Sequence, residues 1–348
     1  MYITTVTGIL KKDKLGIISP HEHVLVDCRN QFVEFNEVLK KAFSEQKVGI
    51  SNLYILSRNP YALKDNLVLD DVNIAKEELI EFKKAGGNTI VDATSIGIGR
   101  NPEALRDISK LTGINIIAGC GYYTNDTHSK DMDKKTIKNI KNEILNDIKI
   151  GINGTDIKAG VIGELGTSME IYPNEEKVLI ASAKAHAETG LGIIVHTYPW
   201  GKKGLEILNI LKKNGVNPNR VNICHVDVEI DLIYCEALAK MGSFIEFDNF
   251  GKEYYINKKD RKFAGGIFAR DIERVRSIKN LINSGYLSNI LISCDVCLKI
   301  LLHRYGGWGY DHILNNIVPM MLEEGITKEE IRILLEKNPK SFLETKIS

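Results

Sequence analysis

Six residues of this chain are of the types that hold divalent metal ions, and each falls at the end of a strand-like run. His21 and His23 sit two apart in Pro20-His21-Glu22-His23, and Glu164 lies in Gly163-Glu164-Leu165-Gly166. His196 closes Ile193-Ile194-Val195-His196, His225 closes Ile223-Cys224-His225, and Asp295 closes Ser293-Cys294-Asp295. Imidazole nitrogen and carboxylate oxygen are the ligands that suit Zn²⁺ and related divalent ions. In an extended chain alternate side chains share a face, so His21 and His23 are expected on one side and Glu22 on the other. Taken singly, each of these residues is more often a hydrogen-bonded polar group than a ligand. The weight lies in their joint placement. Of eight histidines, four take strand ends beside two acids, while His128, His186, His303 and His312 fall in helices or loops. His186 reads as a helix-face residue; His128 and His312 are within reach of the site from loops.

The elements that must position these residues alternate regularly. Short apolar runs occupy Gly16–Pro20, Asn88–Thr94, Ile114–Ala118, Ala159–Glu164, Gly192–His196, Val221–His225, Ser243–Phe247 and Asn289–Ser293. Several are nearly all apolar, as parallel strands covered on both faces require. Between them lie amphipathic helices: Ile74–Ala85 stopped by Gly86-Gly87, Asn174–Thr189 ending at Gly190, and Asp271–Ser284 ending at Gly285. Eight β-then-α units predict a (β/α)₈ TIM-type barrel, whose active sites lie where the C-terminal strand ends converge. An open doubly wound sheet would leave the placement of the polar residues unexplained. One domain over residues 1–348 is expected. Residues 27–70, with Phe32, Phe35, Leu53, Tyr54 and Tyr61, read as a helical cap after the first strand, and Asn249–Arg270 as a second, mobile loop.

Composition narrows the class. The 348 residues are 43% apolar and 26% charged with a formal charge of +1, so neither a nucleic-acid stripe nor a binder of acidic membranes is expected. The opening MYITTVTGILKKDKLGIISP has no signal-peptide pattern and no run spans a bilayer, so the expected location is the cytoplasm. The six cysteines are scattered, with only Cys294 and Cys297 at CxxC spacing, and read as reduced thiols. Cys224, Cys294 and Glu22 are expected to point into the strand–helix layer. Asp227, two beyond His225, either lines the pocket or orients a ligand. The Gly97–Gly99 and Gly119–Gly121 turns do not form the G-x-G-x-x-G of a dinucleotide site, which sets a dehydrogenase aside.

The segments SPHEHVLVD (Ser19–Asp27), AGVIGELG (Ala159–Gly166), IIVHT (Ile193–Thr197), ICHVD (Ile223–Asp227) and ISCD (Ile292–Asp295) resemble the phosphotriesterase family of the amidohydrolase superfamily. YGGWGYDHIL (Tyr305–Leu314) and EKNPKSFL (Glu336–Leu343) extend the resemblance over nearly the whole chain. It implies a binuclear site: His21, His23 and Asp295 on the more buried ion, His196 and His225 on the more exposed one. Many relatives bridge the ions with a carboxylated lysine. This chain resembles the phosphotriesterase-related subgroup in which glutamate bridges, which assigns that role to Glu164; Lys158 lies too far down the strand.

The expected cofactors are therefore two divalent ions, with Zn²⁺ the expected metal. Such a pair, roughly 3.5–4 Å apart, can share a hydroxide of near-neutral pKa. That hydroxide would attack a carbonyl or phosphoryl centre, with the ligand Asp295 as the catalytic proton acceptor. Tyr122 and Tyr123 after strand three, and Lys252 and Tyr254 after strand seven, are candidate substrate-binding residues. Arg274 joins them, matching by resemblance a position near the pocket and suiting an anionic group. Trp200 and Trp308 either wall the pocket or pack. The expected activity is hydrolysis of an ester, lactone or N-acyl amide in a small anionic substrate. The alternatives are a phosphoester or phosphotriester hydrolase, and a non-catalytic metal- or ligand-binding protein on the same scaffold. The expected partner is a small molecule, with no nucleic acid and no membrane; a homodimer stands open.

Overall fold

The computed structural model describes residues 1–32, 42–256 and 266–345. A short hairpin of β1 (Tyr2–Thr5) and β2 (Gly8–Lys11) precedes the first barrel strand, β3 (Ile18–Glu22). A two-residue pair, β4 (Val26–Asp27) with β5 (Val68–Leu69), follows. The other barrel strands are β6 (Thr89–Asp92), β7 (Asn115–Ala118), β8 (Ile162–Gly166), β9 (Ile193–His196), β10 (Val221–Ile223), β11 (Phe244–Phe247) and β12 (Ile290–Ile292). All eight expected strands are present. They pair in parallel as β3-β6-β7 and as β8-β9-β10-β11-β12.

Two seams close the ring. Between β7 and β8 the amides of Gly160 and Gly163 donate to the carbonyls of Ala118 (2.9 Å) and Cys120 (2.6 Å). Between β12 and β3 a side chain makes the join: the Glu22 carboxylate accepts the amides of Cys294 (2.9 Å) and Val296 (2.7 Å) and the Ser19 hydroxyl (2.7 Å). Burial pushes the Glu22 carboxyl up to about 7. Glu22 thus stitches the seam.

Two apolar layers hold the fold. Inside the barrel, Ile18, Val91, Ile117, Val161, Ile194, Cys224, Phe244 and Leu291 form one cluster, one residue from each barrel strand or its flank. Ile3 and Leu15 belong to the same cluster, as does Phe342, whose ring packs edge to face on Phe244 at 5.6 Å. A larger cluster fills the layer between strands and helices. Its helices carry ordinary stop and start signals. Helix Val72–Lys84 is capped by the Asp71 side chain, and helix Pro173–Thr189 opens on proline and closes at Gly190 in left-handed conformation (φ 67°). Among the described residues no helix is long and apolar enough to cross a membrane.

In the described part of the cap expected over 27–70, residues 42–44 are helical and further short helical turns stand at Arg29–Gln31, Leu53–Leu56, Pro60–Ala62 and Lys64–Leu67, with the β4–β5 pair tying the segment down. Phe35 and the rest of 33–41 lie outside the described residues, as do 257–265 of the expected second loop.

Candidate metal centre

Simple alternation would misplace His21, His23, Glu164 and His225, and local irregularities of the backbone restore them. Ile18 points into the barrel, so an even strand would send His21 outwards. Instead the β3–β6 register runs from Ser19↔Ile90 to Glu22↔Asp92, three residues against two. The same slip occurs in β8, where Ile162↔Ile193 is followed by Leu165↔Val195. One extra residue in each strand re-aims His21 and Glu164 at the mouth. At β10 the inward residue is Cys224, and His225 is turned back by a left-handed φ of 62°; Asp295 has φ 46°. This corrects the expectation for Cys224: its sulfur faces the barrel interior, 3.2 Å from His21 Nδ1, whereas Cys294 packs in the strand–helix layer.

Gly163 makes the β8 irregularity feasible. It has φ 119°, and a Cβ there would stand 2.3 Å from the Ile194 carbonyl oxygen. A Gly163→Ala protein is expected to lose roughly 2–5 kcal/mol of stability, from backbone strain plus the clash. Denaturant unfolding checks this, and an unchanged midpoint would contradict it.

The six side chains converge. Glu164 Oε1 lies 3.2 Å from His196 Nδ1, 3.1 Å from His225 Nε2 and 3.6 Å from His21 Nε2, while Oε2 lies 3.6 Å from His23 Nε2. Asp295 Oδ1 is 3.3 Å from His23 Nε2 and 3.7 Å from His21 Nε2. His196 Nδ1 and His225 Nε2 stand only 2.9 Å apart. His21 Nε2 is buried and has no hydrogen-bond partner among the described residues. The far sides of two rings are anchored: His23 Nδ1 on Thr94 Oγ1 (2.9 Å) and His225 Nδ1 on Asp248 Oδ1 (2.9 Å). Such anchoring fixes which nitrogen faces the site. Converging nitrogens with an unpartnered member, around a carboxylate within 3.6 Å of all four histidines, fit two divalent ions.

Charges follow this geometry. Burial raises the Glu164 carboxyl, but the imidazoles of His21, His196 and His225 outweigh it and hold it well below the usual range. Burial likewise raises Asp295, and the Lys252 ammonium with His23 and His21 brings it below its ordinary value. Burial lowers His225, yet the Asp248 carboxylate lifts it to about 10. Both carboxylates are thus ionised at neutral pH, as ligands must be.

Above the six lies a cleft of about 530 Å³, walled by Tyr61, Ile98, Trp200 and Phe268. Tyr123 and Lys252 line it: the Tyr123 hydroxyl is 3.1 Å from His196 Nδ1, and the Lys252 ammonium pairs with Asp295 Oδ2. Three other candidate substrate residues are placed elsewhere. The Tyr122 hydroxyl turns back to Glu143 and Lys135 behind the barrel, because consecutive residues after β7 face opposite ways. Tyr254 is buried against Phe268 (5.2 Å between rings) and borders a neighbouring groove, as does Trp308, which stacks on His312.

Arg274 is fully buried and spends its guanidinium on Asp227 (2.9 Å), Asp271 (2.9 Å) and the Lys252 carbonyl (3.0 Å). Asp227 in turn holds the Asn249 amide and side chain, and Asp271 holds the Gly251 amide. Arg274 therefore positions the loop that carries Lys252 and does not offer its charge to a ligand. Arg274→Met is expected to cost about 3–5 kcal/mol, since two buried carboxylates lose their cation. Unfolding curves check it, and a loss below about 1 kcal/mol would contradict the clamp.

Two residues at strand ends escaped the sequence reading, Thr94 after β6 and Asp248 after β11. The signal that found the ligands, a polar residue closing an apolar run, was present at both.

The sequence pattern of the phosphotriesterase family matches residues 1–343. An N-acetyltaurine hydrolase of Danio rerio is 39% identical over 347 residues, covering 98% of this chain and 97% of that protein. A resiniferatoxin-binding protein from Rhodobacter sphaeroides superposes with a TM-score of 0.95 at 33% identity, covering 100% of this chain and 96% of that one. A lactonase from Listeria monocytogenes superposes with a TM-score of 0.78 at 26% identity, covering 100% of both chains.

Proposed function

We propose, from the premise that this chain belongs to the phosphotriesterase family, that it hydrolyses N-acyl amides whose amine part carries an anionic group. The family is binuclear and metal dependent, and the chain is a metal-dependent hydrolase of amide, ester or lactone bonds. One observation carries the narrower reading: among the described residues lining the cleft, Lys252 is the one Lys or Arg, and it stands beside Asp295 at the edge of the centre. The relatives named N-acetyltaurine hydrolase, from fish to Dictyostelium discoideum, support an aminosulfonate as the anionic part.

In this reading His21, His23 and Asp295 would hold one ion and His196 and His225 the other, with Glu164 a ligand shared by both. Zn²⁺ is the proposed metal, because imidazole and carboxylate donors suit it. When bound, the pair supplies a Lewis acid for the carbonyl oxygen and lowers the pKa of water to about 7. The chain's own groups do the rest. Asp295, kept ionised by Lys252, accepts a proton from the attacking water and returns it to the departing amine. Lys252 draws the anionic end of the substrate beside Asp295, which aligns the amide over the centre. Trp200, Phe268, Ile98 and Tyr61 exclude bulk water. The Tyr123 hydroxyl stands at the edge of the centre, 3.1 Å from His196 Nδ1, the nitrogen that also faces Glu164.

A lactone is the second reading, favoured by the lactonase on the same fold. Turnover of N-acetyltaurine against a lactone series and a phosphotriester discriminates. The amide is expected to lead in kcat/KM by at least about tenfold, roughly 1.4 kcal/mol; a lactone in the lead would displace this proposal. In a Lys252→Met protein the KM for the anionic amide is expected to rise about 10–100-fold, the worth of one charge-assisted hydrogen bond. A neutral N-acyl analogue should show a smaller rise, and equal rises would remove Lys252 from anion recognition.

A further inference from the structure

Directly beneath the centre, inside the barrel, lies a second convergence of donors. We propose that it is a third cation site, formed by His21 Nδ1, Cys224 Sγ, Glu246 Oε2 and Asp248 Oδ2. All four residues are fully buried, and the four atoms lie within 4.8 Å of one another. His21 Nδ1 stands 3.2 Å from the sulfur, 3.6 Å from Glu246 and 3.5 Å from Asp248, and the sulfur stands 3.4 Å from Glu246. For an ion with metal–sulfur bonds of about 2.3 Å and metal–nitrogen or –oxygen bonds of about 2.0–2.2 Å, the edges of a tetrahedron are roughly 3.3–3.6 Å. Three of the four separations fall within that range, and the His21–sulfur edge is about 0.1 Å shorter.

The charge balance points the same way. Glu246 and Asp248 are two fully buried carboxylates with no Lys or Arg partner among the described residues; the imidazoles of His21 and His225 are the cationic groups beside them. Buried anions are costly unless paired or bound to a cation. Each carboxylate also divides its oxygens. Glu246 gives Oε1 to the Ser293 hydroxyl (3.1 Å) and turns Oε2, which Asn222 also contacts, towards the cluster. Asp248 takes His225 Nδ1 (2.9 Å) on Oδ1, and its Oδ2, which accepts the His225 amide (3.0 Å), stands 3.5 Å from His21 Nδ1. His21 presents Nε2 to the catalytic centre and Nδ1 to this cluster, so its ring would link the two sites. A cation here would fasten β3, β10 and β11 together under the catalytic floor.

Cobalt distinguishes this site, because a thiolate bound to Co²⁺ gives a near-ultraviolet charge-transfer band that nitrogen and oxygen ligands do not. Protein reconstituted with Co²⁺ is expected to show that band and about three ions per chain. Cys224→Ser should abolish the band and remove about one ion per chain, and Glu246→Gln should weaken both signals, with the hydrolase centre still loaded. Cys297→Ser, at the thiol 3.9 Å from Asp295 Oδ2, should keep the band. Two ions and no band in the unsubstituted protein, or a band that survives Cys224→Ser, would overturn the proposal and leave a hydrogen-bonded cluster.

Discussion

The Glu164→Ala protein is expected to lose most of the metal of the catalytic pair and at least about a thousandfold in turnover, the worth of several kcal/mol of transition-state charge stabilisation. Among the six convergent residues, Glu164 is the one whose carboxylate reaches all four histidines, Oε1 towards His196, His225 and His21 and Oε2 towards His23. Without it, two imidazole nitrogens 2.9 Å apart face each other with no anion between them. The cost falls on metal affinity before it falls on chemistry. Elemental analysis after gel filtration measures the first, and turnover at saturating added metal measures the second. Circular dichroism guards against misfolding. Metal content and turnover both unchanged would remove Glu164 from the centre.

Asp295→Asn is expected to lower kcat by about 10²–10⁴-fold at saturating metal, the range typical of a lost general acid–base. An amide has nearly the shape of the carboxylate but cannot take the proton, and it leaves the Lys252 ammonium without its anion. The pH profile carries the sign. Asp295 sits below its ordinary carboxylate value, so the unsubstituted enzyme loses activity only as the solution becomes acidic enough to protonate it. In the asparagine variant that acid limb should flatten while the residual rate stays low. Near-full turnover with both ions retained would assign the proton transfer elsewhere.

The sequence made some of this plain and hid the rest, for identifiable reasons. Eight β-branched runs at regular spacing announced the barrel, because parallel strands covered on both faces must be apolar throughout. The candidate ligands stood out because six residues of ligand type end such runs together, which their separate hydrogen-bonding roles would not require. Their orientation could not. Ile18, Val161 and Cys224 face inwards, and the slips at Ser19–Glu22 and Ile162–Leu165 and the left-handed His225 depend on pairing between strands, which no single strand's sequence contains. Arg274 looked like a free cation because its partners, Asp227 and Asp271, declare themselves only when the loops fold together. Tyr122 and Tyr123, adjacent in sequence, were separable only by knowing which one the strand end turns inwards.

The Glu22 stitch also bears on when the centre can exist. It joins residues 272 apart in the chain, through the amide of Cys294, and His21 and His23 flank it on either side. Closing so long a loop is among the later events of folding. A nascent chain still short of Cys294 already carries His21, His23, Glu164, His196 and His225, yet it lacks Asp295 and the two amides that hold Glu22 between its two histidines. The six convergent residues are therefore assembled only once Asp295 has joined the other five.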